Sequence, residues 1–265
     1  MGLNYDIIAL DVDGTLLTDA HVLTAETRDA VREAARLGAE IVLCTGRGPM
    51  NTIPVLEELG LSGTIITHNG AATIDAASRN VLHQFDMDNA ELEKFINFCR
   101  EGNHHFDVNT AFDLMVLGEI PPNVAAMYSG YKITPMLRDN ALPLPSGLVK
   151  FTVFGEKEAM DSVELAWDGW THGLQHIRSG DFFIDVQHPQ VSKGDALKQL
   201  AMLRGVEPQR VMAIGNYFND VGMLTFAGLG IAVANSPDGV KSAANALTLS
   251  NEENGVAHAL HTYAW

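Results

Sequence analysis

Asp11 and Asp13 stand two residues apart, directly behind the apolar run Ile7-Ile8-Ala9-Leu10 and ahead of Gly14, Thr15 and Leu16. On an extended backbone, residues at this spacing face the same side. A carboxylate is ionised at neutral pH and can attack an electrophile while its neighbour handles protons. Two carboxylates at one strand end can also share a hard cation. Gly14 lets the chain turn away tightly and leaves room for a ligand against the backbone.

Three later stretches offer matching chemistry. Thr45-Gly46-Arg47 follows the apolar segment Glu40–Cys44, Lys193 follows Ser192, and Gly215-Asn216 with Asn219 and Asp220 follows Val211–Ile214. Singly, each has a plain structural reading. A bare D-x-D-G is usually an Asp-rich turn, Thr45 a strand-end cap, Lys193 a solvated helix start and Arg47 a surface charge. The pair His104-His105 is better read as part of a strand than as a metal site, because no cysteine or spaced histidine accompanies it.

The elements that would position these groups follow from periodicity. Thr24 is placed to cap a helix that Gly38 stops, with Ala30, Val31, Ala34 and Leu37 as its apolar stripe. Strands are expected over residues 7–10, 40–44, 63–67, 211–214 and 229–233, and helices over 49–59, 193–203, 220–226 and 237–243. Asn69-Gly70 signals a turn. Strand alternating with helix implies a parallel sheet with right-handed crossovers. Ligands of such sheets gather at the carboxyl ends of the strands, where the polar groups above fall.

Between about Gln84 and Asp185 the rhythm changes. A helix is expected over 89–100, strands over 105–109, 113–117, 148–154, 175–178 and 182–186, and a helix over 157–167. Residues 121–145 hold five prolines and show no period, so they are expected to be irregular. The fold class is therefore α/β: a Rossmann-like parallel sheet core, residues 1–83 and 187–265, with an inserted α+β cap, residues 84–186.

The whole pattern resembles the haloacid dehalogenase superfamily, which carries four short motifs in this order. Asp11-x-Asp13-Gly14-Thr15-Leu16 matches the first motif and Thr45 the second. Lys193 in Val191-Ser192-Lys193-Gly194 matches the third, and Gly215-Asn216-x-x-Asn219-Asp220 the fourth. Asn69-Gly70-Ala71 and the run Val191–Leu197 are similar to the Cof-type branch, whose α+β cap lies between the second and third motifs. Four motifs in order at matching intervals are highly specific.

The resemblance implies phosphoryl transfer through an aspartyl-phosphate. Asp11 would be the nucleophile and Asp13 the general acid and base. Thr45, Gly46, Arg47, Lys193 and Asn219 would bind phosphate or substrate. Asp11, Asp13, Asn216 and Asp220 would hold Mg2+. The family's fourth motif normally begins Gly-Asp, whereas this chain has Gly215-Asn216. The carboxamide still offers an oxygen, but the lost charge is worth up to about 4 kcal/mol gross near a protein surface. After desolvation, a roughly ten- to hundredfold weaker magnesium affinity is expected.

Composition bounds the rest. With 265 residues, 46% hydrophobic and 19% charged, the chain reads as a globular protein with a large core. A net charge of −16 argues against nucleic acid or an anionic membrane as partner, and makes an anionic substrate dependent on a local positive site. Cys44 and Cys99 cannot build a disulfide framework, no basic-then-apolar leader opens the chain, and no apolar run is long enough to span a membrane. A cytoplasmic phosphatase acting on a small phosphorylated metabolite is the expectation. A phosphomutase sharing the nucleophile, or a non-catalytic phosphometabolite binder, are the alternatives.

Overall fold

The computed structural model describes residues 3–130 and 132–265. The chain divides into two compact units, one running to His83 and resuming at Ser192–Trp265, the other Gln84–Val191. The return falls later than the expected residue 187. Gln175 explains this, because its Nε2 donates to the carbonyls of His188 at 3.0 Å and Val191 at 3.1 Å, tying that stretch to the inserted unit.

The first unit opens with β1 (Ile7–Asp11), buried along its length as its continuous apolar run requires. Thr24 then caps α1 (Ala25–Arg36), its hydroxyl accepting from the Thr27 amide at 3.2 Å. β2 (Glu40–Cys44) leads into α2 (Pro49–Glu58), where Pro49 takes the first-turn position that needs no N–H partner. β3 (Thr64–Thr67) ends at a turn in which His68 and Asn69 both have positive φ, 52° and 60°. That turn reverses the chain into β4 (Ala72–Asp75), antiparallel to β3, followed by β5 (Asn80–Gln84); neither strand was expected from the sequence.

The inserted unit contains α3 (Asn89–Glu101), β6 (His105–Asn109), β7 (Leu114–Leu117), α4 (Pro122–Gly130), β8 (Met136–Arg138), β9 (Lys150–Phe154), α5 (Lys157–Asp168), β10 (Gln175–Gly180) and β11 (Phe183–Gln187). Its sheet has the order β10-β11-β9-β6-β7-β8, antiparallel except between β7 and β8. α4 and β8 correct the expectation of irregular structure over 121–145. Pro122 sits at a helix start, where its missing N–H costs nothing, and Val124 and Tyr128, four residues apart, are both buried. β8 is a three-residue edge strand, too short to show a period. Alternate residues Phe106, Val108, Phe151, Val153, Ile184 and Val186 share one core with Phe95 and Trp167 of the helices.

The first unit resumes with α6 (Lys193–Arg204), capped by the Ser192 hydroxyl accepting from the Asp195 amide at 2.9 Å. β12 (Val211–Gly215), α7 (Val221–Phe226), β13 (Leu229–Ala232), α8 (Asp238–Ala243), β14 (Ala246–Leu247) and α9 (Gly255–Tyr263) complete it. β14 and α9 were not anticipated. Its sheet runs β14-β13-β12-β1-β2-β3-β4-β5, parallel from β14 to β3. β1 lies between β2 and β12, so the strand order switches direction at β1, the place where open α/β sheets bind ligands.

Candidate active site

Parallel register brings the carboxyl ends of β1, β2 and β12 to one edge of the sheet: Leu10 lies beside Ile214 and Asp11 beside Cys44. Asp11 closes β1 and is 4% exposed. Its Oδ1 accepts from Lys193 Nζ at 2.7 Å and its Oδ2 from the Thr15 hydroxyl at 2.8 Å. Lys193 is the first residue of α6 and is 1% exposed; its Nζ also donates to Asp220 Oδ1 at 2.6 Å. The other Asp220 oxygen accepts from the backbone amides of Asn216 at 2.8 Å and Tyr217 at 3.0 Å.

One lysine thus bridges two buried carboxylates. Burial, and then the Asp220 charge, push the Asp11 carboxyl up to about 6 against the opposing pull of Lys193 and Thr15. For Lys193, burial alone would lower the pKa, but Asp11 and Asp220 outweigh it and hold the ammonium above its ordinary value.

The remaining sequence-derived residues fall into three groups. Asp13 is more open, and Arg47 grips its carboxylate with Nε and Nη2, the Nε bond to Oδ2 measuring 2.8 Å. His21, held at φ 56°, brings its Nδ1 within 3.3 Å of Asp13 Oδ1. Thr45 is buried, and its hydroxyl accepts from the Arg47 amide at 3.1 Å. Gly46 lies against Asn69, whose Oδ1 would be 3.0 Å from any Cβ there and accepts from Asn219 Nδ2 at 3.0 Å. Asn216 lies against Gly14, with its Nδ2 only 2.4 Å from where a Cβ would be.

The sequence motifs give no site role to Thr15, His21 or Asn69. Thr15 is within reach, because it stands four residues after Asp11 and inside the first motif. Asn69 belongs to a turn legible in the sequence. His21 carries no local signal.

Among the described residues, no three His, Cys, Asp or Glu side chains group as a metal site. The resemblance names Asp11, Asp13, Asn216 and Asp220 as magnesium donors, of which Asp11 would offer its carboxylate, Asp13 its main-chain carbonyl and Asn216 its carboxamide. One charged and two neutral oxygens suit Mg2+, which retains several waters and takes few protein ligands. Asp220 fits that role less well, because its oxygens are engaged by Lys193 and two amides.

Residues 8–260 match the haloacid dehalogenase-like hydrolase family, and the chain belongs to it. A Bacillus subtilis protein named 5-amino-6-(5-phospho-D-ribitylamino)uracil phosphatase is 30% identical, over 95% of both chains. The pyridoxal phosphate phosphatase YbhA of Escherichia coli is 28% identical, over 97% of this chain and 98% of its own. A crystal structure of a haloacid dehalogenase-like hydrolase from Bacteroides thetaiotaomicron superimposes with a TM-score of 0.85 at 25% identity, covering 97% of this chain and 99% of the other. The protein is a phosphoric monoester hydrolase. No helix among the described residues is long and apolar enough to cross a membrane.

Proposed function

We propose that the protein is a magnesium-dependent phosphatase that hydrolyses small phosphorylated metabolites, sugar phosphates or similar, through an aspartyl-phosphate on Asp11. The observation that carries this reading is the buried Asp11 carboxylate, fixed on both oxygens by Lys193 and Thr15 at the switch point of the sheet. An oxygen so held points its remaining lone pairs in a fixed direction, which favours in-line attack on phosphorus.

In the first step Asp11 forms a bond to phosphorus and the ester oxygen leaves. Asp13 gives that oxygen its proton, then takes one from the water that cleaves the aspartyl-phosphate. The Lys193 ammonium offsets the charge that builds up between Asp11 and the phosphoryl group, and the Thr45 hydroxyl and Gly46 amide hold phosphoryl oxygens. Bound Mg2+ would neutralise phosphoryl charge and bring donor and acceptor together. Asp220 holds Lys193 in place instead of binding the cation. Arg47, which grips Asp13, can also meet an anionic substrate oxygen.

The two relatives named above carry different substrates in their names at nearly equal identity to this chain, so the leaving group is set by residues outside the four motifs. We assign that role to the inserted unit. The test is phosphate release from a panel of phosphorylated metabolites with and without Mg2+, run beside Asp11→Asn. Release that persists in Asp11→Asn, or in excess chelator, would refute the mechanism.

A further inference from the structure

Outside the four motifs, a second set of side chains grips the loop behind Asp11. Asn235 follows β13, and its Nδ2 donates to the Gly14 carbonyl at 2.8 Å. Its Oδ1 accepts from the Asn251 amide at 3.1 Å. The partners are one acceptor and one donor, so the carboxamide can face only one way. Asn251 is itself buried, and its Nδ2 donates to the Leu17 carbonyl at 3.2 Å and to Asp19 Oδ1 at 2.9 Å. The Asp19 amide also donates to Glu252 Oε1 at 2.7 Å. The excursion from Gly14 to Asp19 is therefore held from one side, at three points, by the segment that includes Asn235, Asn251 and Glu252.

From this we infer that Asn235 is a positioning residue: it fixes the Gly14 peptide so that the Asp13 main-chain carbonyl and the Asn216 carboxamide stay aimed at one cation. The inference rests on the magnesium reading above. Gly14 is the hinge of the loop, with φ 72°, and glycine resists rotation less than any other residue. An anchor on its carbonyl sets ψ, and with φ given this fixes the peptide plane that carries the Asp13 carbonyl. Asn216 packs directly on Gly14, so a shift of the hinge separates both neutral donors from Asp11. With Asp220 committed to Lys193 and two amides, one carboxylate is left in the donor set, and affinity depends on how well the neutral oxygens are aimed.

Asn235 is exposed, so its loss removes hydrogen bonds and little packing. Asn235→Ala should therefore raise the Mg2+ concentration for half-maximal turnover about tenfold, while kcat at saturating Mg2+ stays within about twofold. The same tenfold displacement should appear without turnover, in the Mg2+ dependence of the melting temperature. Asn235→Ser, which keeps a short donor, should fall between the two and serves where the alanine variant does not fold. A variant that melts lower without metal, yet shows unchanged Mg2+ dependence, overturns the inference and leaves a structural role. A wild-type protein with no Mg2+ response in either measurement overturns the magnesium reading and this inference with it.

Discussion

Each of the two units buries carboxylates beside a lysine, and the two arrangements differ in kind. In the first unit, Lys193 bridges Asp11 and Asp220, which come from the ends of different elements meeting at one edge of a parallel sheet. In the inserted unit the carboxylates lie mid-strand. Register places Thr152 between Asp107 and Asp185 across β6, β9 and β11, and Lys150 Nζ reaches Asp185 Oδ1 at 3.1 Å. Thr152 donates to Asp185 at 2.8 Å, while Asp107 accepts from Tyr128 at 2.9 Å and Asn109 at 2.8 Å. A parallel sheet collects strand ends, where backbone turns leave room for a reactant. An antiparallel sheet spreads polar side chains along one face, where they satisfy one another. Asp11 and Asp107 are both pushed up to about 6, by burial first, yet only Asp11 closes a strand.

The sharpest break between the clusters is chemical. Asp11→Asn is nearly isosteric and should lower turnover by at least about 10⁴-fold while the circular dichroism spectrum is unchanged. Asp107→Asn should leave kcat within a few-fold, and a comparable collapse there would erase the distinction.

Next come the lysines. Lys193→Met strands two fully buried carboxylates and should cost about 3–5 kcal/mol in denaturant unfolding. Lys150→Met should cost less, because the Lys150 side chain is 17% exposed against 1% for Lys193, and Thr152 still bonds to Asp185. Equal losses would mean that the second pair is as dry as the first.

The third effect depends on pH. The folded state holds the Asp107 proton more tightly than the unfolded chain does, about 6 against 3.8. This contribution to stability is full below pH 3.8 and is lost as pH rises through about 6. Asp107→Asn should remove that slope, raising the urea midpoint at pH 8 and the unfolding free energy by up to about 3 kcal/mol before the changed bonds to Tyr128 and Asn109 are counted. A lower midpoint at pH 8 would show that the ionised carboxylate is a net support there.

Smallest is Asn216→Asp, which returns a charge to the strand-end cluster and should tighten Mg2+ about tenfold, or 1.4 kcal/mol. Titration of both forms at equal salt measures it. Unchanged dependence would mean that Asn216 is not a ligand.

Strand ends were legible in the sequence because a buried parallel strand is a continuous apolar run, and the polar residue that breaks it marks the edge. Ile7–Asp11 and Val211–Gly215 show this directly. The residues that brace the site were not legible, since the bond from Asn235 to Gly14 spans 221 positions and nothing near Asn235 announces it. α9 and β14 lacked a cue for related reasons: one follows a turn built on Asn254 at φ 58°, the other is two residues long. In the inserted unit the strands other than β8 could be placed, but the Asp107 and Asp185 rows emerge only once the register is known.

The discontinuity of the first unit also sets a timetable for synthesis. β1 leaves the ribosome early, but its neighbour β12 and the partners Lys193 and Asp220 follow only after the whole inserted unit. The inserted unit is continuous in sequence and can condense as it emerges, whereas β1 waits with one edge unpaired. Asp11 acquires its counter-charge only when the last third of the chain arrives, so a truncated nascent chain carries the proposed nucleophile without Lys193, which holds it.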